Sequence, residues 1–132
     1  MTKFGLWVRE NSLMRTSARG LSVTNLDFVF EDFQGKNLML VEEKTRNGKL
    51  HRAQLKTFKV LDTIVRAGAA SQGYDYRGFF LIQFVEETPE SGCRINGVDA
   101  TPEQLANHLN FFPPYRPSFD FDTKDKSLVS HC

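Results

Sequence analysis

The stretch Leu38-Met39-Leu40-Val41-Glu42-Glu43-Lys44 decides the fold, because it is a short apolar run that ends in Glu-x-Lys. Such a run predicts a buried β-strand, and the side chains of a strand alternate between its two faces. Glu42 and Lys44 are therefore expected to point to one face, and Glu43 to the other. A carboxylate and an ammonium group then lie side by side at the end of the strand.

A second strand is predicted over residues 21–33, where Leu26, Phe28 and Phe30 alternate with other residues. The turn-forming residues 34–37 separate it from the apolar run, so the two strands form an antiparallel hairpin. Asp27 lies on this second strand. Whether it shares a face with Glu42 depends on the register of the hairpin, which the sequence does not fix.

These acidic residues are candidate ligands for a divalent cation. Mg²⁺ and Mn²⁺ are hard ions that prefer oxygen ligands, and Asp27 and Glu42 would supply two carboxylates. The main-chain carbonyl of Glu43 would be a third ligand. Lys44 would then orient or deprotonate an attacking water and screen the charge of a transferring phosphate. The alternative is that Glu42-Glu43-Lys44 is only a solvated strand end, since charged residues are common there.

The rest of the chain predicts a single α/β domain. A helix is expected over residues 50–67, where Leu55, Phe58, Leu61 and Ile64 form one apolar stripe. A central strand is expected over residues 78–85, and a helix on residues 4–17 precedes the hairpin. Thr101 and Pro102 predict the start of a short last helix. We therefore expect a mixed sheet of about four strands flanked by helices, a domain of residues 1–116 and a C-terminal tail of residues 117–132.

The order of these motifs resembles a known superfamily. A strand with Asp27, a turn, a strand with Glu42-x-Lys44 and a helix with Gln54-x-x-x-Phe58 follow one another. This order is similar to that of the restriction-endonuclease-like, or PD-(D/E)XK, nucleases. The Gln-x-x-x-Phe resembles the Gln-x-x-x-Tyr extension of the recombination and exonuclease branch. The resemblance covers residues 7–85, and it departs from the family in lacking a proline before Asp27 and the tyrosine hydroxyl at Phe58.

The resemblance implies a restriction-endonuclease-like core and a Mg²⁺- or Mn²⁺-dependent endonuclease that hydrolyses DNA. It also implies that Gln54 lies beside the active site, and that Glu10 on the first helix is a further acid. A solvent-facing role for Glu10 is equally compatible with the sequence. The resemblance leaves open a homing, restriction-type, junction-resolving or repair nuclease, including phage-encoded ones. A homodimer is expected, because one small domain cannot cut both strands of a duplex at once.

Basic residues are concentrated around the Glu-x-Lys strand end and the following helix. They would contact phosphates, with a solvated helix face as the alternative. The six candidates are Arg46, Lys49, His51, Arg52, Lys56 and Lys59.

Composition excludes several other classes. The chain has 132 residues and a net charge of +1, so it fits one domain and any attraction for nucleic acid must be local. No run approaches the about 18 apolar residues of a membrane span. Two distant cysteines predict neither a disulfide framework nor a zinc site, so we expect a cytoplasmic protein. The alternatives to a nuclease are a non-catalytic nucleic-acid-binding domain of this fold and a small interaction module.

Overall fold

The computed structural model describes residues 2–11 and 24–130. The helices are α1 (Lys3–Asn11), α2 (Arg52–Ala69) and α3 (Pro102–Leu109). The strands are β1 (Phe28–Asp32), β2 (Asn37–Lys44), β3 (Leu50–His51), β4 (Asp75–Phe84), β5 (Cys93–Ile95), β6 (Val98–Ala100) and β7 (Val129–Ser130). Together they form a mixed α/β fold. Among the described residues, no helix combines the length and the apolar character needed to cross a membrane.

The main sheet has five strands in the order β1-β2-β4-β5-β6, one more than the sequence predicted. The predicted hairpin is confirmed, since β1 pairs with β2 in the antiparallel sense. β2 also pairs with β4 in the parallel sense, and α2 lies on the connection between them. A parallel pair requires such a crossover, because a tight turn can join only antiparallel neighbours. The strand that carries Glu42 is therefore paired on both sides.

Helix α2 packs its apolar stripe on one face of the sheet. Phe58 is fully buried there, and its ring lies 4.9 Å from the ring of Phe79 on β4. Leu40 on β2 belongs to the same cluster. Leu40, Glu42 and Lys44 share one face of β2, because alternate residues of a strand do so. The packing of α2 therefore brings its first turn above the charged end of β2.

The second face of the sheet is covered by α3. Met39 on β2, Phe80 on β4 and Leu105 on α3 are buried together in this second cluster. Thr101 caps the helix by accepting a hydrogen bond from the backbone N–H of Gln104, as the sequence predicted. The sheet thus separates two cores, and the charged end of β2 belongs to the face that α2 covers.

The segment after Arg116 differs from the tail predicted by the sequence. The backbone N–H of Phe119 donates to the carbonyl of Phe79 at 2.8 Å, and the Phe119 side chain is buried. Further along, β7 pairs with β3 in the parallel sense, directly before α2 begins. The sequence did not predict that this segment packs on the domain. It contains many charged residues, and its apolar residues are too sparse to show the spacing of a helix or strand. Phe119, Leu128 and Val129 of this segment belong to the core on the α2 face, and Phe121 packs against it.

Two predicted elements extend into residues outside the described part of the chain. α1 (Lys3–Asn11) coincides with the first part of the helix predicted over residues 4–17, and β1 covers only the end of the strand predicted over residues 21–33. Residues 12–23 lie outside the described residues. Phe4 and Trp7 stack on each other at 6.1 Å on α1 and are exposed.

His108 makes the stability of the fold depend on pH. Its ring is buried edge-on against Phe80 at 4.3 Å, and its Nε2 has no hydrogen-bond partner among the described residues. Burial, followed by the charge of Arg116, lowers the pKa of His108 from 6.5 to about 4. Between pH 6.5 and pH 4, His108 therefore binds a proton in the unfolded chain but not in the folded protein. We expect about 2 kcal/mol of stability to be lost between pH 6.5 and pH 4 on this account, allowing for partial solvent screening.

Urea denaturation of the wild type and the His108→Leu variant at pH 7.5 and pH 4.5 measures this contribution. The variant should lose less stability on acidification, because its side chain cannot bind the proton. His51→Gln, which changes an exposed histidine, is the control and should lose as much as the wild type. Equal pH dependence in all three proteins would show that His108 does not carry the effect.

Candidate functional site

Four polar residues from three chain segments meet at the end of β2. Asp27 directly precedes β1, Glu42 and Lys44 end β2, and Gln54 lies in the first turn of α2. The register of the hairpin pairs Phe28 with Val41, so Asp27, just before β1, and Glu42, just after Val41 on β2, lie side by side. The structure thus supplies the register that the sequence could not.

Asp27 is held against β2 by two hydrogen bonds of opposite direction. The backbone N–H of Asp27 donates to Oε1 of Glu42 at 3.2 Å. The backbone N–H of Glu43 donates to Oδ2 of Asp27 at 2.9 Å. Each carboxylate is therefore oriented by the backbone of the other strand. The two acids form one unit although fifteen positions separate them in the sequence.

Gln54 joins the acid to the lysine. Its Nε2 donates to Oε2 of Glu42 at 3.3 Å, and its Oε1 accepts from Nζ of Lys44 at 3.0 Å. The same oxygen accepts weakly from the backbone N–H of His51 at 3.4 Å. Lys44 Nζ also lies 3.6 Å from Oε2 of Glu42. The amide of Gln54 therefore has one fixed orientation, with its nitrogen toward the Glu42 carboxylate and its oxygen toward the Lys44 ammonium group.

The electrostatics of the site favour an additional positive charge. Glu42 is only 3% exposed. Burial and the nearby negative charge of Asp27 raise the pKa of Glu42 from 4.5 to about 7, although the charge of Lys44 opposes this shift. One ammonium group thus does not compensate two carboxylates in a partly buried position. Such a shifted carboxyl group is typical of functional sites.

The donor atoms fit a hard divalent cation that is shared with a substrate. No three His, Cys, Asp or Glu side chains of the described residues form a group that could hold a metal ion. Mg²⁺ nevertheless commonly binds through one or two carboxylates together with substrate phosphates, and Asp27 and Glu42 supply that number. Glu43 would contribute only through its backbone carbonyl. Its N–H points toward Asp27, and the N–H and C=O of one strand residue lie on the same edge.

The side chain of Glu43 lies apart from the cluster, and Glu10 lies on α1. The Glu43 side chain is exposed on the opposite face of β2, as the alternation predicted. Glu10 is exposed on α1, and residues 12–23 separate it from the rest of the described chain. Its role as a further acid stays a prediction.

The six basic residues fall into two groups. Arg46 and Lys59 are exposed and form ion pairs, with Glu87 at 2.6 Å and with Asp122 at 3.2 Å. Lys49 is exposed and its charge acts on Asp125. The other three line an open cavity of about 500 Å³ at the start of α2; they are His51, Arg52 and Lys56.

Two residues beside Lys44 were missed by the sequence analysis. Gln83 is buried on β4 directly across from Lys44, and Gly48 lies in the turn that follows β2. Gln83 had a signal, since it is the one polar residue within the apolar run 79–85. Gly48 looked like an ordinary turn glycine, because its contact with Lys44 exists only in the folded chain.

Comparison of the chain with protein-family models, with curated proteins and with solved structures found no match. The functional interpretation therefore rests on the geometry of the site.

Proposed function

We propose that this protein is a metal-dependent nuclease that hydrolyses DNA phosphodiester bonds with a restriction-endonuclease-like core. The observation that carries the proposal is the contact network of Asp27, Glu42, Lys44 and Gln54. A solvated strand end, the alternative interpretation, has no reason to bury a carboxylate beside a second acid or to orient a glutamine between acid and base.

In the proposed mechanism the two acids hold the ion and the lysine acts beside them. Asp27, Glu42 and the Glu43 carbonyl would hold Mg²⁺ or Mn²⁺, which when bound polarises the phosphate and neutralises its developing charge. Lys44 Nζ lies 3.6 Å from Glu42, so it can donate to the phosphate or orient a water beside the acids. Gln54 keeps Lys44 at that place by accepting its hydrogen bond.

The topology supports the same proposal. The strand with Glu42 and Lys44 has an antiparallel neighbour that brings Asp27 and a parallel neighbour reached through α2. The helix of that crossover carries Gln54. This order of elements is the one that the resemblance to the restriction-endonuclease-like nucleases implies.

DNA is the proposed substrate because basic side chains are concentrated in the turn after β2 and at the start of α2, the two segments that follow the Glu42-x-Lys44 strand end. The cavity lined by His51, Arg52 and Lys56 opens at the start of α2, the helix whose first turn carries Gln54, and its positive charges would attract a phosphate backbone. Exposed ion pairs are worth little, and Arg46 can exchange Glu87 for a phosphate. A homodimer that cuts both strands of a duplex stays a prediction.

A cleavage assay with Lys44→Met tests the proposal. The wild type should cut plasmid or branched DNA with Mg²⁺ or Mn²⁺ and not with a chelator. Lys44→Met keeps most of the aliphatic stem and loses the charge, so kcat should fall by about 100-fold or more because one electrostatic contact to the transition state is gone.

Lys124→Met is the matched control, since Lys124 is exposed, and it should cleave like the wild type. The absence of cleavage by the wild type on every DNA tested, or equal cleavage by Lys44→Met, would contradict the catalytic proposal. Salt-dependent DNA binding without cleavage would instead identify a non-catalytic binding domain of this fold.

A further inference from the structure

We infer that Gly48 and Gln83 are positioning residues that fix the side chain of Lys44, which deepens the proposed function and rests on it. The two residues lie on different elements, in the turn after β2 and on β4. Neither contacts the acids in any hydrogen bond of the described chain. Their effect on the site is therefore exerted through Lys44.

Gly48 packs its backbone directly on the stem of Lys44. A Cβ atom at position 48 would lie 3.2 Å from Cβ and 3.7 Å from Cδ of Lys44, and 3.1 Å from the carbonyl oxygen of Thr45. The backbone of Gly48 lies outside the left-handed region, so its conformation does not require glycine. Space favours glycine here, because a Cβ atom would crowd the Thr45 carbonyl and Cβ of Lys44.

The turn that carries Gly48 is held rigidly. Gly48 closes it by donating its N–H to the carbonyl of Thr45 at 2.9 Å, with positive φ at both Arg46 and Asn47. The N–H of Arg46 donates to the carbonyl of Glu86, just after β4, at 3.0 Å, and the N–H of Asn47 donates to the carbonyl of Phe84, the last residue of β4, at 2.8 Å. A turn held by these hydrogen bonds limits the space beside the aliphatic stem of Lys44.

Gln83 also fixes this turn, from the neighbouring strand β4. It lies opposite Lys44 in the parallel register, is 1% exposed, and donates from Nε2 to the carbonyls of Gly48 at 2.9 Å and Ser127 at 2.8 Å. Both partners are acceptors, and the amide NH₂ satisfies both without placing a charge in this buried position. The Oε1 atom has no partner among the described residues, a cost that the two donated bonds offset.

These contacts leave Lys44 with little freedom. The turn limits its stem on one side, and Gln54 accepts from its Nζ at 3.0 Å at the other end. A lysine side chain otherwise has four rotatable bonds and loses rotamer entropy when it is ordered. The protein meets this cost during folding, so the ammonium group is in place before a substrate binds.

Gly48→Ala and Gln83→Leu test the inference with two readouts. The first readout is the rate at which an amine-selective reagent acetylates Lys44 in the metal-free protein, measured by mass spectrometry with exposed Lys124 as the internal reference. Both variants should raise this rate several-fold. The second readout is cleavage, where kcat should fall about tenfold with KM unchanged, because misplacement affects the chemical step and not DNA binding.

Gly68→Ala is the matched control, since a Cβ there meets nothing within 4 Å, and it should leave both readouts unchanged. Gly48→Ala decides the result if Gln83→Leu proves unstable in thermal denaturation. An unchanged acetylation rate in Gly48→Ala, or a rise in KM with kcat intact, would overturn the inference. If the wild type cleaves no DNA, the proposed function fails, and the acetylation rates alone still support or overturn the positioning of Lys44.

Discussion

Glu42→Gln is expected to abolish both divalent-cation binding and DNA cleavage. Glutamine has nearly the same shape and can still accept the N–H of Asp27, so the variant should fold. It removes one of two carboxylates from the proposed ion site. The contribution of a bound ion to the transition state is several kcal/mol, so cleavage should fall by about 1,000-fold or more. Isothermal titration with Mn²⁺ and a plasmid-cleavage assay measure the two effects.

Glu43→Gln is a closely matched control for this variant. It makes the same chemical change one residue later, on a side chain exposed on the opposite face of β2. The backbone that Glu43 contributes is untouched, so Mn²⁺ binding and cleavage should remain near wild-type levels. Equal losses in both variants would show that total negative charge matters and would contradict the site. Cation binding retained by Glu42→Gln would also contradict it.

Truncation after Arg116 is expected to unfold the domain. It removes four apolar side chains that pack on the α2 face of the sheet. Three of them are buried and Phe121 is partly buried. Fully burying such a side chain contributes about 1.5–3 kcal/mol, so together they approach the about 5–15 kcal/mol by which a domain of this size is stable. These side chains are Phe119, Phe121, Leu128 and Val129. Circular dichroism and urea denaturation of the truncated chain measure the loss.

Single substitutions show whether the packing of one side chain, and not only the removal of sixteen residues, accounts for the loss of stability. Phe119→Ala should cost about 3–5 kcal/mol, because its ring packs edge-on against Phe79 at 5.8 Å and leaves a cavity when removed. Phe112→Ala removes the same ring from a side chain that is 56% exposed and should change stability by about 0.5 kcal/mol or less. A cooperative unfolding transition of normal midpoint in the truncated chain would show that residues 117–130 are the tail that the sequence predicted.

The hairpin, the crossover helix and the last helix were predictable because each has a local signal. Turn residues 34–37 lie between two runs, an apolar stripe with helical spacing covers residues 55–65, and Thr101-Pro102 starts α3. β5 and β6 follow from the Asn96-Gly97 turn, where both residues have positive φ. These signals come from residues close together in the chain, so no knowledge of distant contacts is needed.

The candidate site was predictable only in part. The sequence identified Asp27, Glu42, Lys44 and Gln54 as candidates, since their types and order resemble those of a nuclease. It did not provide their distances, because two strands can pair in alternative registers that differ only in side-chain packing. The roles of Gly48 and Gln83 could not be predicted either, because they depend on contacts between distant chain segments. Their hydrogen bonds and contacts join the β2 turn, β4 and the segment before β7.

The sequence alone determined that Glu42 and Lys44 share one face of a strand, because backbone geometry makes side chains alternate with period two. The tertiary structure decided that Asp27 lies beside Glu42, that Gln54 bridges acid and base, and that Phe119 lies in the core. Each of these depends on contacts between residues distant in the chain. Such contacts are selected by the packing of the whole domain, in which hydrophobic burial has to outweigh the entropy of closing every loop.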